Sequence, residues 1–95
     1  MEKILVIEDE QAIRETLKDI LELSGYNVIV AKNGKEGYDS ILEHSPDLVL
    51  CDVNMPELDG FELLSSLNQK LKEGVVPPFI FLTAKGWALE QTTIS

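Results

Sequence analysis

Four short apolar runs, Ile4–Ile7, Val28–Ala31, Leu48–Cys51 and Phe79–Leu82, limit the possible folds of this chain more than any other feature. Continuous apolar runs of this length read as strands buried on both faces. The segments between them repeat apolar residues at helical spacing: Ile13, Leu17, Ile20 and Leu21; then Gly37, Tyr38, Ile41 and Leu42; then Phe61, Leu64, Leu67 and Leu71. The punctuation agrees with that reading. Asp9 is suited to cap the first helix and Gly25 to stop it, Asn33 to cap the second and Ser45-Pro46 to end it, and Asp59-Gly60 to open the third. Buried strands alternating with amphipathic helices predict a β-α-β-α-β-α-β order and an α/β, doubly wound parallel sheet with helices on both faces. With strand 1 between strands 2 and 3, the sheet order is 2-1-3-4, and the crevice for a ligand opens between the carboxyl ends of strands 1 and 3.

That topology brings distant acids together. Glu8 and Asp9 leave the end of strand 1, and Asp52 closes strand 3. Three neighbouring carboxylates repel one another, and a hard divalent cation offsets the repulsion; Mg²⁺ suits a set of a few carboxylates, a carbonyl and waters. With such an ion bound, Asp52 can approach a phosphoryl group and attack it to form an aspartyl phosphate. Thr83, at the end of strand 4, can offer a hydroxyl to a phosphoryl oxygen. Taken singly, these residues have plainer explanations: Asp9 a helix cap, Asp59-Gly60 a turn and cap, Thr83 a strand end. His44 reads as a surface residue and Met55 as a loop anchor. The convergence of Glu8, Asp9, Asp52 and Thr83 on one sheet edge is what argues for a site.

The bulk properties narrow the class. The chain has 95 residues, enough for one small domain, and 8 Lys and Arg against 17 Asp and Glu give a net charge of −9. Such acidity repels phosphate backbones and disfavours direct nucleic-acid binding. The single cysteine, Cys51, lies inside an apolar run and has no partner for an internal disulfide, which fits a reducing compartment. Glu2-Lys3 leads into a run too short for a signal peptide, and no run approaches a membrane span, so the chain reads as cytoplasmic.

Three segments carry a resemblance to a known family: Ile4–Glu10, Asp52-Val53-Asn54-Met55-Pro56-Glu57-Leu58-Asp59-Gly60, and Leu82-Thr83-Ala84-Lys85-Gly86. The chain resembles a response-regulator receiver domain of two-component systems, the CheY-like group with a flavodoxin-like fold, over residues 1 to 86. The resemblance implies that Asp52 is the phosphoacceptor. It implies that Glu8, Asp9, Asp52 and Asn54, the last through its backbone carbonyl, hold Mg²⁺, with Glu8 where the family more often has Asp. Thr83 matches the residue that senses the phosphoryl group, and Pro56, Asp59 and Gly60 match the loop and cap. The implied partner is a sensor histidine kinase or a phosphotransfer protein. The implied role is that of a phosphoacceptor regulatory domain rather than an enzyme.

The family continues with a further strand and helices, and its strand-5 lysine and aromatic switch residue have no counterpart before Ser95. The reading is therefore a receiver truncated at its C-terminus, lacking the usual fifth strand and last helix, with Trp87–Ser95 able to start another helix. Strand 4 would then be an apolar edge, from which homo-oligomerisation through that edge is expected, along with apolar surface left open where further helices would pack. The alternative is a receiver scaffold that serves as a protein-interaction or dimerisation module without phosphorylation. An aspartate-nucleophile phosphatase is disfavoured because its usual second acid is Asn54 here. A flavin-binding domain is disfavoured because the acidic loop after strand 1 has nothing to cradle a phosphate.

Overall fold

The computed structural model describes residues 2–55, 58–72, 74–83 and 86–90. Its elements run β1 (Lys3–Ile7), α1 (Gln11–Leu23), β2 (Asn27–Ala31), α2 (Gly34–His44), β3 (Leu48–Asp52), α3 (Gly60–Lys70), β4 (Phe79–Thr83) and β5 (Gly86–Glu90). The sheet order is β2-β1-β3-β4-β5. The first four strands are parallel, in the order 2-1-3-4 expected from the sequence.

The expectation for the chain after Thr83 needs correction. Residues 86–90 are not the start of a helix. They form β5, antiparallel to β4 along its whole length, from Phe79 opposite Glu90 to Thr83 opposite Gly86. Strand 4 is therefore not the exposed edge through which oligomerisation was expected. The physical reason is local: an apolar β4 edge offers a row of unpaired backbone groups, and that pairing outweighs the helix preference of Ala88, Leu89 and Glu90. Being antiparallel, β5 does not continue the parallel series of the first four strands.

The sheet has two unequal faces. Leu5, Ile7, Ala31, Val49, Cys51, Phe79 and Phe81 point to one side and are buried with Ile41 of α2 and Leu63 and Leu67 of α3. Gly37 lets α2 lie directly on Ile7, since a Cβ there would collide with the Ile7 side chain. The other side buries Ile4 and Val6 of the central β1, but Leu48, Leu50, Ile80 and Leu82 there are only half-buried. α1, which forms as predicted, buries no residue completely, and Ile13 and Ile20 stay exposed at 43% and 55%.

The remaining helix signals divide. Asn33 accepts from the Glu36 N–H, and Asp59 forms a reciprocal capping box with Glu62. Gly25 follows α1 with φ +95°, the left-handed conformation that favours glycine. Asp9, however, does not cap α1. The cap position is Glu10, whose side chain makes no cap hydrogen bond. Met55 is buried, as a loop anchor should be, and His44 is partly exposed at the end of α2, where its carbonyl accepts from Lys3 Nζ. Phe61 is half-exposed, yet its ring lies 4.6 Å from that of Phe81. No helix among the described residues is long and apolar enough to cross a membrane.

The unequal faces predict unequal mutational costs. Leu67→Ala, in the closed core, should lower stability by about 2–5 kcal/mol. Ile20→Ala, on the exposed face of α1, should change it by less than about 0.5 kcal/mol. Urea unfolding of the two variants would compare them, and equal losses would contradict the asymmetry.

Candidate functional site

One register assembles the acids. Ile7 pairs with Cys51 in the parallel β1/β3 ladder, so Glu8 and Asp52 follow side by side at the strand ends. Both lie on the α1 face, because Leu5, Ile7, Val49 and Cys51 alternate with them towards the closed core. Asp9 follows Glu8, and being released from capping it joins the group. Glu8, Asp9 and Asp52 each offer a carboxylate oxygen, and these oxygens lie within 4.8 Å of one another. They line an open cleft of about 360 Å³, with Glu10, Asn54, Ile13 and Leu82 completing its wall.

Each acid is held differently. The Glu8 N–H donates to the Ala31 carbonyl at 3.0 Å, and one Glu8 carboxylate oxygen accepts from the Glu10 N–H at 3.1 Å. Glu8 is only 4% exposed, which is unusual for an acid without a cationic side-chain partner among the described residues. Asp52 Oδ1 accepts from the Asn54 N–H at 3.1 Å, a bond that folds the loop back over the strand end. The Gly60 N–H donates to the Val53 carbonyl at 3.2 Å, which ties the start of α3 to the same loop. A Cβ on Gly60 would stand 2.9 Å from the Asp52 carbonyl oxygen and 2.8 Å from the Phe81 ring, so only glycine allows this approach. The sequence suggested a turn-and-cap role for Asp59-Gly60. Their position directly against the Asp52 backbone is what sequence reasoning missed, and the adjacency of Gly60 to the acid's loop was the available signal.

The electrostatics follow from this crowding. Burial pushes the Glu8 carboxyl up from 4.5 to about 7, with the Asp9 side chain and the charges of Asp52 and Asp9 adding to the effect and the Glu10 N–H opposing it. Asp52 is also raised, first by burial and then by Asp9, against the lowering influence of the Asn54 N–H and the Glu8 side chain. Cys51, fully buried beneath Asp52, is pushed up to about 12 by burial and by the neighbouring acids, so it stays a neutral thiol.

This donor set fits a divalent cation. It consists of hard oxygens from three carboxylates, on an open side of the sheet, with a charge repulsion that a cation would relieve. Among the other predicted residues, Asn54 is exposed beside Asp52, and Thr83 ends β4 next to the strand carrying Asp52. Pro56 lies outside the described residues.

The family model of the response regulator receiver domain matches residues 4–93. This chain belongs to the response-regulator receiver family. It is 41% identical over 91 residues to the transcriptional regulatory protein CpxR of Escherichia coli (strain K12), covering 96% of this chain and 37% of that protein. It is 42% identical over 83 residues to the alkaline phosphatase synthesis transcriptional regulatory protein PhoP of Bacillus subtilis (strain 168), covering 87% and 33%. Among solved structures it is similar to the response regulator TrrA of Thermotoga maritima in complex with Mg²⁺-BeF, with a TM-score of 0.78 and 38% identity over 88% of this chain and 70% of that one. The receiver domain of Francisella response regulator 1452 matches with a TM-score of 0.80 and 33% identity, covering 88% of this receiver and 67% of that chain. The chain spans about a third of the length of these curated relatives.

The raised carboxyl of Glu8 makes stability depend on pH with a definite sign. The folded state holds a proton that the unfolded state releases, so stability falls as pH rises from about 4.5 to about 7. The metal-free receiver should lose about 1–3 kcal/mol across that window. Glu8→Gln should flatten the decline, and a thermal melt series from pH 4.5 to 8 would show it. A wild-type stability that rises through this window would contradict the crowded-acid account.

Proposed function

We propose that the chain is one receiver unit, residues 1–95, that takes a phosphoryl group on Asp52 for two-component signal transduction in the cytoplasm. The observation that carries this reading is the meeting of Glu8, Asp9 and Asp52 within 4.8 Å at the β1/β3 switch point. In the proposed step an Asp52 carboxylate oxygen attacks phosphorus of a phosphohistidine on a sensor histidine kinase or phosphotransfer protein. A new P–O bond forms, the P–N bond breaks, and the imidazole nitrogen leaves with the electron pair and takes up a proton. The Asn54 N–H orients the attacking carboxylate. Glu8 and Asp9, with the Asn54 backbone carbonyl, complete the oxygen set proposed for Mg²⁺. When bound, Mg²⁺ would neutralise charge on the carboxylates and the transferring phosphoryl group. Thr83 is the proposed hydroxyl contact to the product phosphoryl group.

The role is that of a regulatory phosphoacceptor rather than an enzyme acting on a separate substrate. The Mg²⁺-BeF complex of the Thermotoga relative supports the choice of ion and of phosphoryl chemistry. The relatives named as transcriptional regulators support a signalling output. With a net charge of −9, this chain would serve such an output through protein contacts rather than by touching DNA itself.

Intact mass after incubation with acetyl phosphate and Mg²⁺ tests the proposal. One phosphoryl group should add to the wild-type chain and none to Asp52→Ala, and chelation of Mg²⁺ should abolish uptake. A folded wild type that takes up nothing would overturn the phosphoacceptor reading and leave the interaction-module alternative.

A further inference from the structure

The peptide bond joining Glu8 to Asp9 is held from inside the following helix. Arg14 Nη1 donates to the Glu8 carbonyl oxygen at 2.9 Å. The need for this bond can be read from the ladder. The Glu8 N–H makes the last β1/β2 bond, to Ala31, and β2 ends at that residue. The N–H that would answer the Glu8 carbonyl is that of Asn33, where the chain has already left the strand and turned into the α2 cap, with the Lys32 N–H before it bonded to the Glu36 carboxylate. The Glu8 carbonyl therefore lies past the end of the ladder.

α1 does not secure this loop in the usual way either, since its cap residue, Glu10, makes no side-chain cap bond. Arg14 sits one turn into α1, with its own N–H bonded to the Glu10 carbonyl at 2.9 Å, and its side chain reaches back towards the helix N-terminus as helical side chains do. The guanidinium, half-buried, grips the loop that the cap leaves loose.

We infer that Arg14 is a positioning residue for the cation site, fixing through the Glu8 carbonyl the peptide plane that sets Glu8 and Asp9 relative to Asp52. The inference rests on the proposed Mg²⁺ site. Arg14 does not line the cleft of the three acids, so its action runs through the backbone rather than by contact with an ion or a phosphoryl group. Five donors in a planar fork make Arg14 better suited than lysine to hold a carbonyl in one orientation.

The test is Mg²⁺ binding by calorimetry at fixed pH on the wild-type chain, Arg14→Met and Arg14→Lys, with thermal melts of the metal-free proteins alongside. Arg14→Met should weaken Mg²⁺ binding by about tenfold, the scale seen when a partner that orients ligands is removed. Arg14→Lys should recover only part of the loss. In phosphoryl uptake, Arg14→Met should raise the Mg²⁺ concentration for half-maximal rate while nearly restoring the rate at saturation. An Arg14→Met protein that melts lower but binds Mg²⁺ as wild type would show a merely structural arginine and overturn the inference. Full recovery in Arg14→Lys would assign the effect to charge and also overturn it. A folded wild type that binds no Mg²⁺ would overturn the cation site itself, and the inference with it. Wild-type binding without phosphoryl uptake would sink the proposed function alone, and the Arg14 comparison would still decide the inference.

Discussion

The pairing of Ile7 with Cys51 is the constraint from which the site follows. A shift of one residue in that ladder would turn Asp52 to the closed core, where no partner for its charge is available. The register is fixed by what lies on that side: Leu5, Ile7, Val49 and Cys51 are fully buried under α2 and α3. Hydrophobic burial thus performs an electrostatic task. It holds Glu8 beside Asp52 in a crowded site, where burial above all, with Asp9 close by, raises both carboxyl groups. Acids crowded in this way cost stability, a cost that a bound cation would offset.

Much of this was legible in the sequence because it depended on short patterns. The apolar runs gave the four parallel strands, and Asn33 and Asp59 announced two helices through their caps. The acids at the ends of two runs gave the site once strand 1 was placed between strands 2 and 3. Asp9 was harder. A residue before a helix looks like a cap, and nothing local shows that Glu10 takes that position while Asp9 turns to its fellow acids. Gly60 was read only as turn chemistry, because the approach of α3 to the Asp52 carbonyl exists only after packing. β5 was missed because a segment rich in helix formers pairs with a neighbouring edge, an influence that local propensity does not contain.

The two faces of the sheet divide the molecule's tasks. The α2/α3 side holds the continuous core and keeps the strands in register. The α1 side carries the acids, the cleft and exposed Ile13 and Ile20. The acids therefore sit on the less consolidated face, open to solvent, while their register is set by the other.

The hairpin at the end of the described chain has a kinetic meaning. Every other strand pair joins segments separated by a helix or more, as when Ile4 meets Leu48, and such parallel pairs form only after a long loop has closed. β4 and β5 are neighbours in sequence, with Thr83 paired to Gly86, and such a local pair can zip within microseconds of meeting. The strand carrying Thr83 thus gains a local partner before β3 reaches it, and its sticky apolar edge is shielded during the slow search for the parallel sheet.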